Sequence, residues 1–265
     1  MKSIHLVSKL IASLIVALAS ASANAALIYW TDWTGDNTGV VNGSFQAVGT
    51  ITTGTSTVTV TYTNEQGVGF YQASGGTDYW ANGPSGSGGR DDAISPYTSA
   101  AVDNSPTGTD IIALQYAGVQ TLTFSEPIAN PVFAFASLNG NGYAFLNQDF
   151  EILSLGGVDG NACGYWGCGN AIRVVDGNTY ELNSNNVNGT EPHGTIQFTG
   201  AFSSVSWTSA SNEYWNGFTV GIQGTAEEIF PDEPPPTNGV PEPLTLALLG
   251  LGLAGLAAAA RRSPG

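Results

Sequence analysis

The sequence has very few basic residues. Its 265 residues include 6 Lys and Arg against 21 Asp and Glu. The basic residues are Lys2, Lys9, Arg90, Arg173, Arg261 and Arg262. Residues 26–243 therefore keep two arginines against all 21 acids, a formal charge of −19 (2 − 21). Nucleic acid is excluded as a partner, because phosphate binding needs clustered Lys and Arg. A cation, a neutral polymer or simple colloidal repulsion fits this charge better.

Histidine is almost as scarce, and this limits the possible chemistry. Beyond the first 25 residues the only histidine is His193, and no Gly-x-Ser-x-Gly motif accompanies it. A serine triad and a multi-histidine metal site are therefore both disfavoured. We expect His193 to be a turn or surface residue and the chain not to be an enzyme. A glycoside hydrolase with two carboxylates stays open, since such pairs meet only in the folded protein.

The N-terminus reads as an export signal. A short basic start (Lys2, Lys9) precedes the apolar run Leu10–Ala19, and the segment ends in Ala23-Asn24-Ala25. This order predicts a signal helix over residues 1–25, cut by signal peptidase after Ala25. The apolar run is too short to be a stable membrane anchor.

The chain has only two cysteines, Cys163 and Cys168, which flank Gly-Tyr-Trp-Gly. Their spacing fits neither the paired cysteines of structural zinc sites nor the C-x-x-C of redox proteins. An exported protein meets an oxidising environment, so we predict a disulfide that makes the turn around Trp166 rigid.

The central region predicts an all-β fold. Thr57–Thr63 alternates between apolar residues and threonines, as a strand with one buried face does. Further strands are predicted at Phe45–Ile51, Ile111–Tyr116, Val119–Phe124, Val132–Leu138, Phe150–Leu155, Thr195–Thr199, Ser203–Thr208 and Phe218–Ile222. Turn-forming clusters separate them, including Asp-Gly in Val158–Asn161 and Val175–Asn178. We predict a β-sandwich or jelly roll over residues 26–224.

One stretch, Gly75–Ser105, is rich in Gly, Ser and Asp and is predicted to be a long loop. Long loops in compact domains are often functional. Four acids lie in or beside it, and their carboxylates are candidate calcium ligands: Asp78, Asp91, Asp92 and Asp103. Calcium is the one cofactor considered, and solvated loop acids are the alternative.

Four of the six tryptophans follow a tyrosine. The Tyr-Trp pairs begin at Tyr29, Tyr79, Tyr165 and Tyr214. Neighbours in a strand point to opposite faces, so one member of each pair should face outward. Trp80 and Trp166 lie in Gly-rich segments and are candidate platforms for sugar rings, with core packing as the alternative.

The threonines of the Thr57–Thr63 strand also resemble the rows that can face ice. One strand makes a single rank, and no sequence repeat supplies more. We therefore interpret the row as an exposed strand face, and ice binding stays a minor alternative.

The C-terminal segment has a fixed three-part order. An acidic, Pro-rich linker is predicted over residues 225–239. Then come Pro241-Glu242-Pro243, the apolar run Leu244–Ala260 and Arg261-Arg262. The run spans about 26 Å as a helix, which is at the lower limit for crossing a membrane as a single helix. It contains a formal Gly-x-Gly-x-x-Gly, but no strand precedes it, so it does not predict a dinucleotide site.

This order, over Val240–Arg262, resembles the PEP-CTERM sorting signal of exopolysaccharide-producing Gram-negative bacteria. The resemblance implies that an exosortase recognises Pro241-Glu242-Pro243 and removes the helix, leaving Arg261 and Arg262 cytoplasmic until then. The protein would pass through an inner-membrane intermediate to the cell surface, outer membrane or extracellular matrix. A permanent membrane anchor is the alternative. The central domain also resembles β-sandwich domains found before such tails, on Leu122–Glu126, Asn130–Ala134 and Trp215–Val220. The leading hypothesis is a non-catalytic surface or matrix protein that binds extracellular polysaccharide or acts structurally.

Overall fold

The computed structural model describes residues 25–36, 44–184 and 191–232. The predicted signal helix, Ala23, the membrane helix 244–260 and the sorting residues Pro241, Glu242, Pro243, Arg261 and Arg262 lie outside these ranges. Within them, no helix is long and apolar enough to cross a membrane.

The described chain is almost entirely β-structure. The strands are β1 Tyr29–Trp30, β2 Asp32–Asp36, β3 Phe45–Thr52, β4 Thr57–Asn64, β5 Phe70–Gln72, β6 Ile111–Leu114, β7 Gly118–Ala129, β8 Val132–Ala136, β9 Gly142–Leu146, β10 Phe150–Leu155, β11 Ile172–Asp176, β12 Thr179–Asn183, β13 Gly194–Phe198, β14 Ala201–Ser209, β15 Asn216–Ile222 and β16 Gly224–Thr225. One α-helix, α1, covers Ala226–Ile229, and a 3-10 turn covers Pro84–Gly86. Each of the nine predicted strands is confirmed, with ends that differ by a few residues. The strands that prediction missed have two to five residues, and they include β9 and β12 in the interior of the larger sheet.

Two antiparallel sheets make up the fold. The smaller has the order β10-β13-β8-β15-β6-β5, with β1 also paired to β15. The larger has the order β11-β12-β9-β14-β7-β4-β3-β2, with β16 also paired to β7. The predicted Asp-Gly turn at Val175–Asn178 is confirmed: Asp176 pairs with Thr179, and Gly177 takes a positive φ of 57°. Only residues that tolerate positive φ close so tight a hairpin.

The main hydrophobic core lies between the sheets. Val58, Val60 and Tyr62 of β4 point into it and are buried, as the alternation predicted. From the facing sheet, Phe133 and Phe135 of β8 join the same cluster. The predicted sandwich is therefore the observed architecture.

A second hydrophobic cluster covers the opposite face of the smaller sheet. Val132, Ala134 and Ala136 of β8 belong to it, so this strand is buried on both faces, which is typical of a central strand. The long loop Gly75–Ser105 supplies its cover with Trp80, Tyr97 and Val102. The loop is thus packed on the sheet and held in one place, although it forms no strand.

The folded domain extends past its predicted end. Residues assigned to the linker from 225 onward include α1, whose first turn is closed by a reciprocal capping box between Thr225 and Glu228. Glu228 also accepts a hydrogen bond of 2.7 Å from the Thr53 hydroxyl. The linker prediction relied on acidic composition, but these acids satisfy free N–H groups and so stabilise the helix.

Candidate functional site: an aromatic surface patch

Five aromatic rings from four separate chain segments meet on the side of the smaller sheet covered by the long loop. They are Phe70, Tyr79, Tyr165, Trp166 and Trp215, and we call them the aromatic patch. The Tyr79 ring is the centre: its centroid lies 5.0 Å from Trp215, 5.1 Å from Tyr165 and 5.7 Å from Phe70. Edge-to-face contacts at such distances stabilise each ring by about 0.5–1.5 kcal/mol beyond its burial.

Trp166 is the ring that the patch offers to solvent. Its side chain is 47% exposed, whereas the other four are partly buried. It stacks on Tyr79 with 24° between the ring planes and a centroid distance of 6.5 Å. Trp215 contacts it edge-on at 6.1 Å. Neighbouring rings therefore hold the indole in a fixed orientation, and part of it stays open to a ligand.

The predicted disulfide between Cys163 and Cys168 is present. Inside its loop, Gly164 and Gly167 exchange two backbone hydrogen bonds of 3.0 and 3.1 Å. Gly167 takes a φ of 128°, which is open to glycine but strained for other residues. This small cross-linked turn presents Tyr165 and Trp166 side by side, with ring centroids 5.1 Å apart.

The long loop holds the disulfide turn from the other side. The Gly83 N–H donates to the Cys163 carbonyl and the Ser85 N–H to the Tyr165 carbonyl, both at 2.7 Å. The Ala162 N–H donates to the Ile94 carbonyl at 2.6 Å. These bonds join two segments about seventy residues apart, so the predicted functional loop does contribute to the candidate site.

Trp80, one of the two predicted platform residues, is completely buried. Its indole N–H donates to the Asp110 carbonyl at 3.1 Å, and its ring packs edge-on against Tyr97 at 5.1 Å. It anchors the long loop in the second cluster and cannot stack on a ligand. Its neighbour Tyr79 points the other way, so in this pair the tyrosine ring, and not the tryptophan ring, belongs to the patch.

His193 is fully buried, so the prediction of a turn or surface residue is wrong in its exposure. Its ring packs against the backbone of Gly164, where a Cβ would lie 2.2 Å from the imidazole. Its Nδ1 lies 2.9 Å from the Tyr97 hydroxyl. Burial lowers the pKa of His193 to about 3, so the ring is neutral at ordinary pH. It supports the disulfide turn from beneath.

The four predicted calcium ligands do not converge. Asp78 forms an ion pair with Arg90, Asp91 accepts from the Ala93 N–H, and Asp92 accepts from the Ser105 N–H. Asp92 and Asp103 line one shallow polar pocket with Asn161. Within the described residues, no group of three or more His, Cys, Asp or Glu side chains could hold a metal ion.

A partly buried carboxyl, Glu213, lies on another part of the domain and was not predicted from the sequence. Glu213 accepts a hydrogen bond from the Asn216 amide, and Asn216 accepts one from the Tyr143 hydroxyl. Burial, aided by the negative charge of Glu191, raises the pKa of Glu213 to about 7. A pKa near neutrality is typical of catalytic acids and also of buried structural carboxyls. Glu191 accepts hydrogen bonds from Ser137 and Asn139.

The threonines of β4 do not form an isolated rank. The outward side chains of its neighbours are mostly hydroxyls, interrupted by Gln46 and Val48 of β3 and by Val119 of β7. The hydroxyls form what we call the hydroxyl face: Thr50, Thr52, Thr57, Thr59, Thr61, Thr63, Thr121, Thr123, Ser125, Ser204, Ser206 and Thr208. Thr61 lies opposite Thr123, and Thr123 opposite Ser204. The fold thereby supplies the further ranks that the lack of a sequence repeat argued against. No member of the face is charged.

The repeated Tyr-Trp pairs were the sequence signal that could have indicated more of the patch rings. Three of the four Tyr-Trp pairs contribute a ring to the patch, whereas Tyr29 packs against the main core and Trp30 is buried in the second cluster. The alternation rule identifies an outward ring but not which ring it is. Phe70 carried no signal, because its exposure depends on its edge position in β5.

Residues 239–262 match a family model described as the PEP-CTERM protein-sorting motif. The match covers less than a tenth of the chain and none of the described domain. It confirms the resemblance drawn from Pro241-Glu242-Pro243 and the apolar run that follows. The motif marks the chain as an exported protein that an exosortase recognises. No curated protein and no solved structure matches the chain.

Proposed function

We propose that this exported protein is a non-catalytic, polysaccharide-binding component of the cell surface or extracellular matrix. The carrying observation is the aromatic patch, in which four partly buried rings support the exposed Trp166. Contiguous exposed apolar surface on a soluble protein often marks a binding site. The face of an aromatic ring is electron-rich, so it attracts the weakly positive C–H groups of a sugar ring.

The patch is also preformed. The disulfide, the hydrogen bonds of the long loop and the ring contacts all restrict Trp166 before any ligand arrives. Binding then orders few additional side chains, which preserves affinity.

The test is retardation of the full chain in native gels that contain the producer's own exopolysaccharide. Trp166→Ala should weaken binding about tenfold or more, since an anchoring aromatic contributes at least about 1.4 kcal/mol. Leu146→Ala is the matched control, because Leu146 is 66% exposed on the larger sheet, away from the patch. Equal retardation of the wild type and both variants would refute the proposal.

Delivery to the surface would follow from the two terminal segments. Signal peptidase would cut after Ala25, and exosortase processing at Pro241-Glu242-Pro243 would release the domain from its temporary membrane anchor. Replacing these three residues with alanine should leave the protein in the inner-membrane fraction. If the variant reaches the surface at the wild-type level, the motif does not direct delivery.

The hydroxyl face supports a second candidate, ice binding. Its hydroxyls repeat in two directions, at about 4.8 Å between strands and about 6.7 Å along a strand. Thr61→Lys would place a charge at its centre and should abolish any thermal hysteresis, whereas Trp166→Ala should not change it. Wild-type protein without thermal hysteresis would remove this candidate.

The glycosidase alternative has Glu213 as its candidate acid. Release of reducing sugar by the wild type, abolished in Glu213→Gln, would favour it.

A further inference from the structure

We infer that the aromatic patch selects uncharged polysaccharides and rejects those that carry uronate or sulfate groups. The inference rests on the proposed polysaccharide binding and concerns the same site. It follows from how the two arginines of the exported domain, Arg90 and Arg173, are paired with acidic and carbonyl groups. Proteins recognise anionic sugars with cationic side chains that have free N–H donors.

Arg90 is bound to Asp78, the residue directly before Tyr79 of the patch. Its Nε donates to one Asp78 oxygen and its Nη2 to the other, both at 2.7 Å. Nη2 also donates to the Gly108 carbonyl, and Nη1 to the Pro106 carbonyl and the Ser105 hydroxyl. An arginine has five N–H groups, and all five are used.

The ion pair therefore leaves no donor for a ligand carboxylate. Its net charge is zero, so it exerts little long-range attraction on an anion. The Asp78 carboxylate is held in place by a further bond, accepting from the Trp80 N–H at 3.1 Å. Breaking this arrangement to bind a uronate would leave Asp78 next to the incoming negative charge.

Arg173 cannot replace Arg90 at the patch. It lies on β11, the edge strand of the larger sheet, whereas the patch covers the smaller sheet. It is bound to Asp149, with an Nε to Oδ1 distance of 2.8 Å, and lies over the Tyr180 ring at 5.2 Å.

The remaining charge opposes anionic polymers as well. Residues 26–243 carry 21 acids against these two arginines. Such a field repels a polyanion at low ionic strength, and it is screened within about 8 Å at physiological salt. Stacking of a neutral sugar ring does not depend on this field.

The experiment compares gel retardation of the full chain by neutral polysaccharides (dextran, a mixed-linkage β-glucan, galactomannan) with retardation by alginate and hyaluronan. We expect retardation by at least one neutral polymer, changed less than twofold when ionic strength rises from about 0.01 to 0.15 M. We expect none with alginate or hyaluronan at either salt. Retardation by an anionic polymer equal to that by a neutral one would overturn the selectivity while leaving polysaccharide binding intact. No retardation by any polymer would instead count against the proposed function.

Asp78→Asn tests the cause. The asparagine keeps the oxygen that accepts from Trp80 but frees the charge of Arg90, so retardation by alginate should appear and should decrease with salt. Asp149→Asn is the matched control, since it frees Arg173 with the same change in net charge but away from the patch. Both variants should keep the wild-type affinity for the neutral polymer, which also reports their folding. If Asp78→Asn does not bind alginate, or if Asp149→Asn binds it equally well, the pairing of Arg90 with Asp78 does not determine the selectivity.

Discussion

The disulfide between Cys163 and Cys168 should contribute little to global stability and much to the aromatic patch. The change to make is the double replacement of both cysteines by serine. Its cost can be worked out from the loop, whose ends are five positions apart in sequence. Closing so short a loop removes about 7 cal/mol/K of chain entropy from the unfolded state, or about 2 kcal/mol at 25 °C. For a domain of about 200 residues this lowers Tm by about 4–8 °C.

Binding should suffer more than this figure suggests. The backbone bonds between Gly164 and Gly167, and those from Gly83 and Ser85, remain in the variant. They preserve the turn on average but permit Trp166 to leave its stack on Tyr79. We expect affinity for the polysaccharide to fall about tenfold, because ordering the ring is then required at binding. Urea unfolding followed by tryptophan fluorescence and gel retardation measure the two effects.

Reductant provides the control. It should reproduce both effects in the wild-type protein and change nothing in the double serine variant. Wild-type affinity in the double variant would refute the view that the disulfide preorganises the patch. A loss of more than about 5 kcal/mol in the free energy of unfolding would exceed what loop closure can contribute. It would show that the disulfide also stabilises contacts outside its own loop.

Two further predictions concern Glu213 and Gly164. Folded Glu213 keeps its proton up to a pKa of about 7 against 4.5 unfolded, so its stabilising effect is complete below pH 4.5 and is lost as pH rises to 7. Across this window, the free energy of unfolding of Glu213→Gln in urea should rise by on the order of 2–3 kcal/mol relative to that of the wild type. A difference that does not change with pH would refute the raised pKa. Gly164→Ala should destabilise by more than about 3 kcal/mol, because its methyl would lie 2.2 Å from the His193 ring. The control Gly35→Ala, with nothing within 4 Å of the added Cβ, should stay within about 1 kcal/mol in the same urea assay.

Features that depend on neighbours along the chain were predictable. Alternation with a period of two and short apolar runs identified nine of the sixteen described strands and the buried face of Thr57–Thr63, because successive side chains of a strand point to opposite faces. The disulfide followed from two cysteines with no other partner. The sorting signal followed from the order of Pro241-Glu242-Pro243, the apolar run and the arginines, which is a local pattern read by a processing enzyme.

Features that depend on distant contacts were not predictable in the same way. His193 was predicted as a turn or surface residue from its Pro and Gly neighbours, yet Gly164 and Tyr97 enclose it from elsewhere in the chain. The threonines of β4 read as one rank, and only the pairing of β4 with β3 and of β7 with β4 and β14 made a two-dimensional face.

Local sequence patterns alone were enough to predict an all-β fold, the disulfide and export through a sorting motif. Contacts between distant segments select the rings of the aromatic patch: Trp80 is buried, Tyr79 joins the patch, and Trp166 lies beside Trp215. They also pair Arg90 with Asp78, the residue before Tyr79. The physical reason is the same in each case. Burial and pairing are properties of three-dimensional neighbours, and here those neighbours come from segments tens of residues apart.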